Sequence, residues 1–264
     1  MPSTTEHMKE RSASLYEHKD RYTLELLKLQ TRFVGEMGID DSSPPANFLR
    51  YGVARRFDLI GNAIRNIYRI FPPERTSTLS REDLGDVQIN LHAFVINLSG
   101  CFDAMAWAFV LKHGLLNKVG GPAAVGMFPE STKRFLPKQI SEYLNREDTS
   151  NWHKTYLKTY RDSLAHRIPV YVPPGVMSPE EATHYAAIEQ LKMEALEKQD
   201  FALLDNLWNQ QASIGQPCFF FLQTDANGKT TEPIWLHPQI LSDTSALIDF
   251  GSLFLQHWQS TNNA

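Results

Sequence analysis

The sequence has few features of a secreted or membrane-spanning protein. It contains only two cysteines, Cys101 and Cys218, which are too few for a disulfide framework or a cysteine-rich zinc site. Its first residues are polar and lack the apolar segment of a signal peptide. Charged residues such as Asp103 and Lys112 interrupt the longest apolar stretches. We therefore expect a cytoplasmic protein with no membrane segment, in which Cys101 is a small buried side chain.

An excess of positive charge and the familiar catalytic motifs are also missing. The formal net charge is −4, so a site for nucleic acid has to come from a local cluster of cations. The sequence has no glycine-rich dinucleotide motif, P-loop, HExxH or GxSxG motif. Its histidines are scattered without the spacing of metal ligands. These absences predict a protein that uses no metal and no cofactor.

What the sequence does contain is a series of amphipathic helices separated by proline and glycine. Two apolar segments, 218–222 and 232–236, flank a turn at 225–229 and predict a small β-hairpin. The predicted fold is mainly α, an up-and-down helical bundle over residues 1–170 with a C-terminal extension over 171–264 packed on the same domain. The helices are predicted at about 5–35, 46–71, 80–115, 130–145, 149–166, 178–213 with a break near Asp200, and 238–259.

Local signals mark the beginnings of two of these helices. Ser80 precedes Asp83 by three positions, which is typical of a capping box with Asp in the place of Glu. The apolar pattern that follows over many turns predicts the central helix of the bundle. Ser178 followed by Pro179 likewise predicts a cap and a first helical turn.

A basic cluster lies within residues 153–167, where only Asp162 opposes the cations. Such a surface on an acidic protein can contact an anion such as an RNA phosphate. It can equally be a solvated helix face whose cations complement the helix dipole. The basic side chains are His153, Lys154, Lys158, Arg161, His166 and Arg167.

The spacing within this cluster gives two geometric expectations. Asp162 and His166 are four positions apart, so the carboxylate can accept a hydrogen bond from the imidazole. Arg161 and His166 are five apart, or about 140° apart around an ideal helix. They can converge only through the reach of the arginine, by unwinding of the last turn before Pro169, or by pairing with a second subunit. This predicts a groove at the helix end or a dimer interface.

Residues 161–166, Arg-Asp-Ser-Leu-Ala-His, resemble the Arg-(Asn, His or Asp)-x-x-x-His form of the HEPN signature. The resemblance implies a helical core over about residues 45–170, with the motif late in a core helix. Active HEPN proteins are metal-independent endoribonucleases, often toxins or defence proteins, whose motifs commonly meet across a homodimer. The partners implied are RNA or a nucleotide, a second copy of the chain, and an antitoxin or regulatory protein.

The resemblance also implies roles for three side chains. His166 is the general acid or base for the ribose 2′-hydroxyl and the leaving group, since an imidazole titrates near neutral pH. Arg161 holds the phosphate and stabilises negative charge in the transition state. Asp162 orients the groups around them.

Further residues are candidates for supporting this site. Lys158 and Arg167 are predicted to contact the substrate. His92, Ser99 and Asp103 fall near one stripe of the long helix, and Asp103 is predicted to support Arg161 or His166. A polar seam between helices, with every group bonded internally, explains the same stripe.

Two alternatives to an enzyme stay open at this point. The bundle can be a non-catalytic scaffold that presents the basic helix to RNA, a nucleotide or a protein. Alternatively, Arg161 and His166 can be structural, in which case both side chains are buried and bonded within the protein.

Overall fold

The fold is known from a computed structural model that describes residues 4–36, 41–224 and 228–262, with side chains from Glu10 to Thr261. The chain is 74% helical with a two-stranded antiparallel hairpin near its C-terminus, which confirms the predicted mainly α class. The α-helices are α1 (Thr4–Glu36), α2 (Pro44–Asn47), α3 (Arg55–Ile70), α4 (Arg81–Lys112), α5 (Leu116–Val119), α6 (Glu130–Lys133), α7 (Lys138–Asn145), α8 (Glu147–Asn151), α9 (Lys158–His166), α10 (Pro179–Glu197), α11 (Phe201–Ala212) and α12 (Leu236–Asn262).

The hairpin consists of β1 (Phe220–Phe221) and β2 (Ile234–Trp235). Phe220 lies opposite Trp235 in the antiparallel register. The strands are shorter than the apolar segments that predicted them. Part of the predicted turn, residues 225–227, lies outside the described residues.

Two π-helical segments interrupt helices that the sequence predicts as regular. The first, Phe48–Ala54, joins α2 to α3, and the second, Trp152–Leu157, joins α8 to α9. A π turn closes its hydrogen bonds one residue later than an α turn and is frequent at functional sites. The chain therefore stays helical over 147–166, but the side chains before and after the second segment are rotated relative to a regular helix.

Helix α4 is the centre of the bundle. It begins at Ser80, whose Oγ accepts a hydrogen bond from the Asp83 N–H at 3.0 Å, as predicted. The reciprocal bond of a capping box is not formed within the described residues, since Asp is one methylene shorter than Glu. Cys101 on this helix is fully buried, which confirms its prediction.

One hydrophobic core runs from Leu26 on α1 to Trp258 on α12, with residues on both sides of position 170. Its largest fully buried side chains are phenylalanines such as Phe33, Phe94 and Phe254. Burying one such side chain stabilises the fold by about 1.5–3 kcal/mol. Helix α12 packs against both α1 and α4, so the C-terminal helix is part of the bundle.

Helices α10 and α11 form a separate antiparallel pair. Ser178 caps α10 and, with Glu181, completes a capping box. The predicted break occurs at Asp200, whose side chain accepts a hydrogen bond from the Leu203 N–H. The pair encloses a small core of its own, formed by Ile188, Ala195, Leu204 and Leu207.

Among the described residues, α4 is the one helix whose length and composition would let it cross a membrane. Its most apolar window is 72% buried inside the protein. The core helix of a bundle has the same length and composition.

Candidate functional site

The helix that contains the motif is fixed from its buried side. Tyr160 is 2% exposed, and its ring meets that of Phe221 edge-on with 5.7 Å between ring centroids. Ser163, in the middle of the motif, is fully buried and accepts a hydrogen bond from the Gln223 amide. The C-terminal hairpin region therefore holds α9 in place and leaves the charged face of the helix outward.

Helix α9 remains regular to its end. The N–H of Arg167 still donates to the Ser163 carbonyl at 3.0 Å, and the backbone becomes extended only at Arg167 (φ −137°, ψ −154°). The chain thus leaves the helix two residues before Pro169. Unwinding of the last turn, one of the three ways to bring Arg161 and His166 together, does not occur.

Arg161 lies at the solvent boundary, with its side chain 37% exposed. Its Nη1 lies 3.3 Å from Asp162, and Asp162 also accepts a hydrogen bond from Lys158 at 2.8 Å. Partial burial tends to raise the pKa of Asp162, but the bond from Lys158 and the charge of Arg161 outweigh it and lower that pKa. Asp162 therefore stays ionised and pairs with both Arg161 and Lys158, and its predicted orienting role stays a prediction.

Arg161 keeps donors that no protein group uses. Its Nε is buried without a partner, and its Nη2 is open to solvent and donates to no acceptor among the described residues. A guanidinium with unused donors at the surface can still bind an oxyanion.

His166 occupies a different environment from Arg161. It is exposed and has no hydrogen bond or ion pair in the described part of the chain. The predicted hydrogen bond between Asp162 and His166 is absent, because Asp162 bonds to Lys158 and Arg161. An exposed imidazole without a partner also disagrees with the purely structural interpretation of the motif.

Asp103 lies on α4 within electrostatic range of Arg161, and its predicted support of Arg161 or His166 stays a prediction. The residue is exposed, yet the surrounding protein raises the pKa of its carboxyl group, while the charges of Arg161 and Arg56 act in the opposite direction. Within the described residues Asp103 makes no hydrogen bond and no direct ion pair.

The rest of the predicted stripe on α4 is structural. His92 Nε2 lies 2.7 Å from the carbonyl oxygen of Val170, and Ser99 is 9% exposed. His92 therefore joins α4 to the segment after α9, whereas Ser99 is buried within the bundle. Of the three residues, Asp103 is the one on which the charge of Arg161 acts.

His153 belongs to the basic cluster, but no role was predicted for it. Its ring stacks on Phe128 with 3.5 Å between centroids and 6° between planes. Burial, then the positive charges of Lys158 and Arg161, lower the pKa of His153 to about 4, so it is neutral at neutral pH. Because one α turn and one π turn together span about eight residues, His153 and Arg161 share a side of the helical run.

The charged surface is accessible to solvent, since Arg161 is partly exposed and His166 is exposed. Three clefts of about 490, 360 and 470 Å³ lie elsewhere, and neither Arg161 nor His166 lines any of them. Lys158 and Arg167 are exposed, so both predicted substrate contacts are accessible. No group of three His, Cys, Asp or Glu side chains able to hold a metal ion occurs in the described part of the chain.

Comparison of the chain with models of protein families, with curated proteins and with solved structures found no match. The resemblance to the HEPN signature therefore depends on the residues of the motif and on the helix that presents them.

Proposed function

We propose that the protein binds RNA through the surface around Arg161 and, as a HEPN-type homodimer, cleaves it without a metal ion. The observation that supports this proposal is the state of Arg161. Its guanidinium lies at the surface, is paired with an ionised Asp162, and retains an unused Nη2 donor within electrostatic range of Asp103. A planar cation with free donors is suited to one phosphodiester.

In this proposal the imidazole comes from a second copy. Arg161 and His166 point about 140° apart on one regular helix, so a single chain does not aim both at one phosphate. A two-fold axis close to the end of α9 would place His166 of each chain beside Arg161 of the other. The open surface around Arg161 fits a site that is enclosed only when two chains meet.

The proposed reaction is an intramolecular transesterification of RNA. The ribose 2′-oxygen attacks the adjacent phosphorus and gives its proton to the base, while the bond from phosphorus to the 5′-oxygen breaks and that oxygen takes up a proton. His166 acts as the acid or base, and Arg161 stabilises the charge that develops on the phosphoryl oxygens. The products are a 2′,3′-cyclic phosphate and a free 5′-hydroxyl.

The test is incubation of purified protein with single-stranded RNA in the presence of a chelator. His166→Ala should lower the cleavage rate by about a thousandfold while RNA binding stays within about twofold, because a general acid or base contributes mainly to chemistry. Arg161→Ala should lower the cleavage rate by about a hundredfold or more and also weaken binding. Products with a 2′,3′-cyclic phosphate are expected. Cleavage that both variants perform at the wild-type rate would show that the activity belongs to another site or to a contaminant.

A non-catalytic RNA-binding scaffold is the second candidate function. The observation that favours it is that His166 stands apart from the charged cluster within one chain. It predicts RNA binding without turnover, unchanged binding by His166→Ala, and weaker binding when Lys158 or Arg167 is neutralised.

A further inference from the structure

A glycine in the middle of α4 makes room for an arginine of α3. A Cβ atom at Gly100 would lie 2.7 Å from both Cζ and Nε of Arg56, and 3.0 Å from its Nη1. The guanidinium of Arg56 therefore rests directly on the backbone of α4. Any larger residue at position 100 has to displace it, although the side chain that would move is flexible.

Asn97 fixes the orientation of this guanidinium. Nη1 of Arg56 donates to Oδ1 of Asn97 at 3.0 Å. The amide of Asn97 is itself held, since its Nδ2 donates to the Ala93 carbonyl on the same helix at 2.7 Å and the residue is 8% exposed. The buried amide of Asn97 and the absence of a side chain at Gly100 thus hold Arg56 in one position.

The remaining donors of Arg56 are unused, as they are in Arg161. Nε of Arg56 is buried without a partner, and Nη2 is open to solvent with no protein partner among the described residues. A charged side chain that is held in place but unsatisfied is typical of a binding site, because internal ion pairs normally use such donors.

Arg56 and Arg161 lie on different helices, and the charges of both act on Asp103. Helices α3 and α9 both pack against α4, and both guanidinium groups lie within electrostatic range of Asp103. Neither makes a direct ion pair with Asp103 within the described part of the chain. Three cations, Arg56, Arg161 and Lys158, oppose two carboxylates, Asp103 and Asp162, so one net positive charge remains, which matches one phosphodiester.

We propose that Arg56, laid on Gly100, is a second phosphate-binding arginine of the surface around Arg161, and that it contacts the phosphodiester backbone of RNA. The inference rests on the proposed function and extends it, because it assigns a binding role to α3, outside the motif helix. Gly100 and Asn97 are positioning residues that act through Arg56.

The test measures binding of a fluorescently labelled single-stranded RNA to the full-length chain over a series of salt concentrations. Arg56→Gln and Gly100→Ala should each weaken binding roughly tenfold, since a charge-assisted hydrogen bond to phosphate is lost or displaced. Arg56→Gln should also reduce the slope of log affinity against log salt by about 0.7, as expected for one lost phosphate contact on a single strand. In the double variant with Arg56→Gln, Gly100→Ala should weaken RNA binding no further, because the guanidinium that it displaces is already absent.

Gly85→Ala is the matched control. Gly85 lies on the same helix, and a Cβ atom there would meet nothing within 4 Å. This variant has the same change in helix propensity and should bind RNA like the wild type. Far-ultraviolet circular dichroism establishes that each variant is folded.

The outcomes separate the two proposals. Arg161→Ala could weaken RNA binding while Arg56→Gln and Gly100→Ala bind like the wild type with an unchanged salt slope. In that case the proposal for Arg56 is wrong and the proposed function stands. If the wild-type protein does not bind RNA at all, both are wrong.

Discussion

Two polar clusters border the helical run of residues 147–166, and they differ in whether their members satisfy one another. Around Asp243 on α12 the cluster is closed. The carboxylate is fully buried and accepts hydrogen bonds from Trp152 and Tyr156, each at 2.8 Å, and from Gln239 at 2.7 Å. Its oxygens bind donors on two helical segments and join α12 to the second π-helical segment.

The cluster around Arg161 is open. Asp103 has no direct partner among the described residues, and both Arg56 and Arg161 retain unused donors. Burial raises the pKa of Asp243 to about 6 and surrounding protein also raises the pKa of Asp103, so a shifted pKa alone does not distinguish the clusters. The distinction lies in the hydrogen bonds: those around Asp243 are complete and serve stability, whereas those around Arg161 are incomplete and leave room for a ligand.

Removing each carboxylate is the strongest way to test this distinction. Asp243→Ala leaves buried donors of Trp152 and Tyr156 without an acceptor, so the free energy of unfolding should fall by about 3 kcal/mol or more. Asp103→Ala removes an exposed group with no direct partner and should change the free energy of unfolding by less than about 0.5 kcal/mol. Urea unfolding followed by tryptophan fluorescence measures both. Equal losses of stability in the two variants would mean that both clusters are structural.

A smaller effect is expected in the pH dependence of stability. The folded-state pKa of Asp243 is raised to about 6 from an ordinary value of 3.8, because burial outweighs the hydrogen bonds from Trp152, Tyr156 and Gln239. The folded state therefore binds a proton more tightly than the unfolded state. The stabilising contribution of Asp243 to the free energy of unfolding is fully present below about pH 4 and is lost as the pH rises through 6.

Asp243→Asn cannot titrate and serves as the reference for that experiment. Between pH 4 and pH 7 the free energy of unfolding of the wild type should fall by roughly 1 to 3 kcal/mol relative to that of Asp243→Asn. The measurement is the unfolding free energy of both proteins across this range. Parallel curves would show that Asp243 titrates near its ordinary pKa, and the cost of burying its charge would then be fully offset by its three donors.

The sequence predicted those parts of the fold that depend on local signals. Ser80, Ser178 and Asp200 begin their helices because each side chain caps N–H groups only three residues away. The departure of the chain from α9 before Pro169 has an equally local cause. The two π-helical segments have no comparable local signature, and regular helices were predicted in their place.

The candidate site was predicted only where it lies on one helix. Arg161, Asp162 and Lys158 are near one another in sequence and form one cluster in the structure. Arg56 was missed because its partners lie on another helix and Gly100 stands in an apolar run, where nothing in the sequence indicates that a guanidinium rests on it. Likewise, the sequence did not reveal that Asp162 would bind Lys158 in preference to His166.

The central claim is that Arg161 and His166 act together across two chains, and defined heterodimers test it most directly. Two differently tagged chains are co-expressed and purified in tandem, and the cleavage of single-stranded RNA is measured in chelator. A heterodimer of Arg161→Ala with His166→Ala contains one intact shared site and should retain about half of the wild-type activity. A heterodimer of a wild-type chain with an Arg161→Ala, His166→Ala chain contains none and should be inactive. The reverse result, an inactive first heterodimer and a half-active second, would contradict the account, because each site would then lie within a single chain.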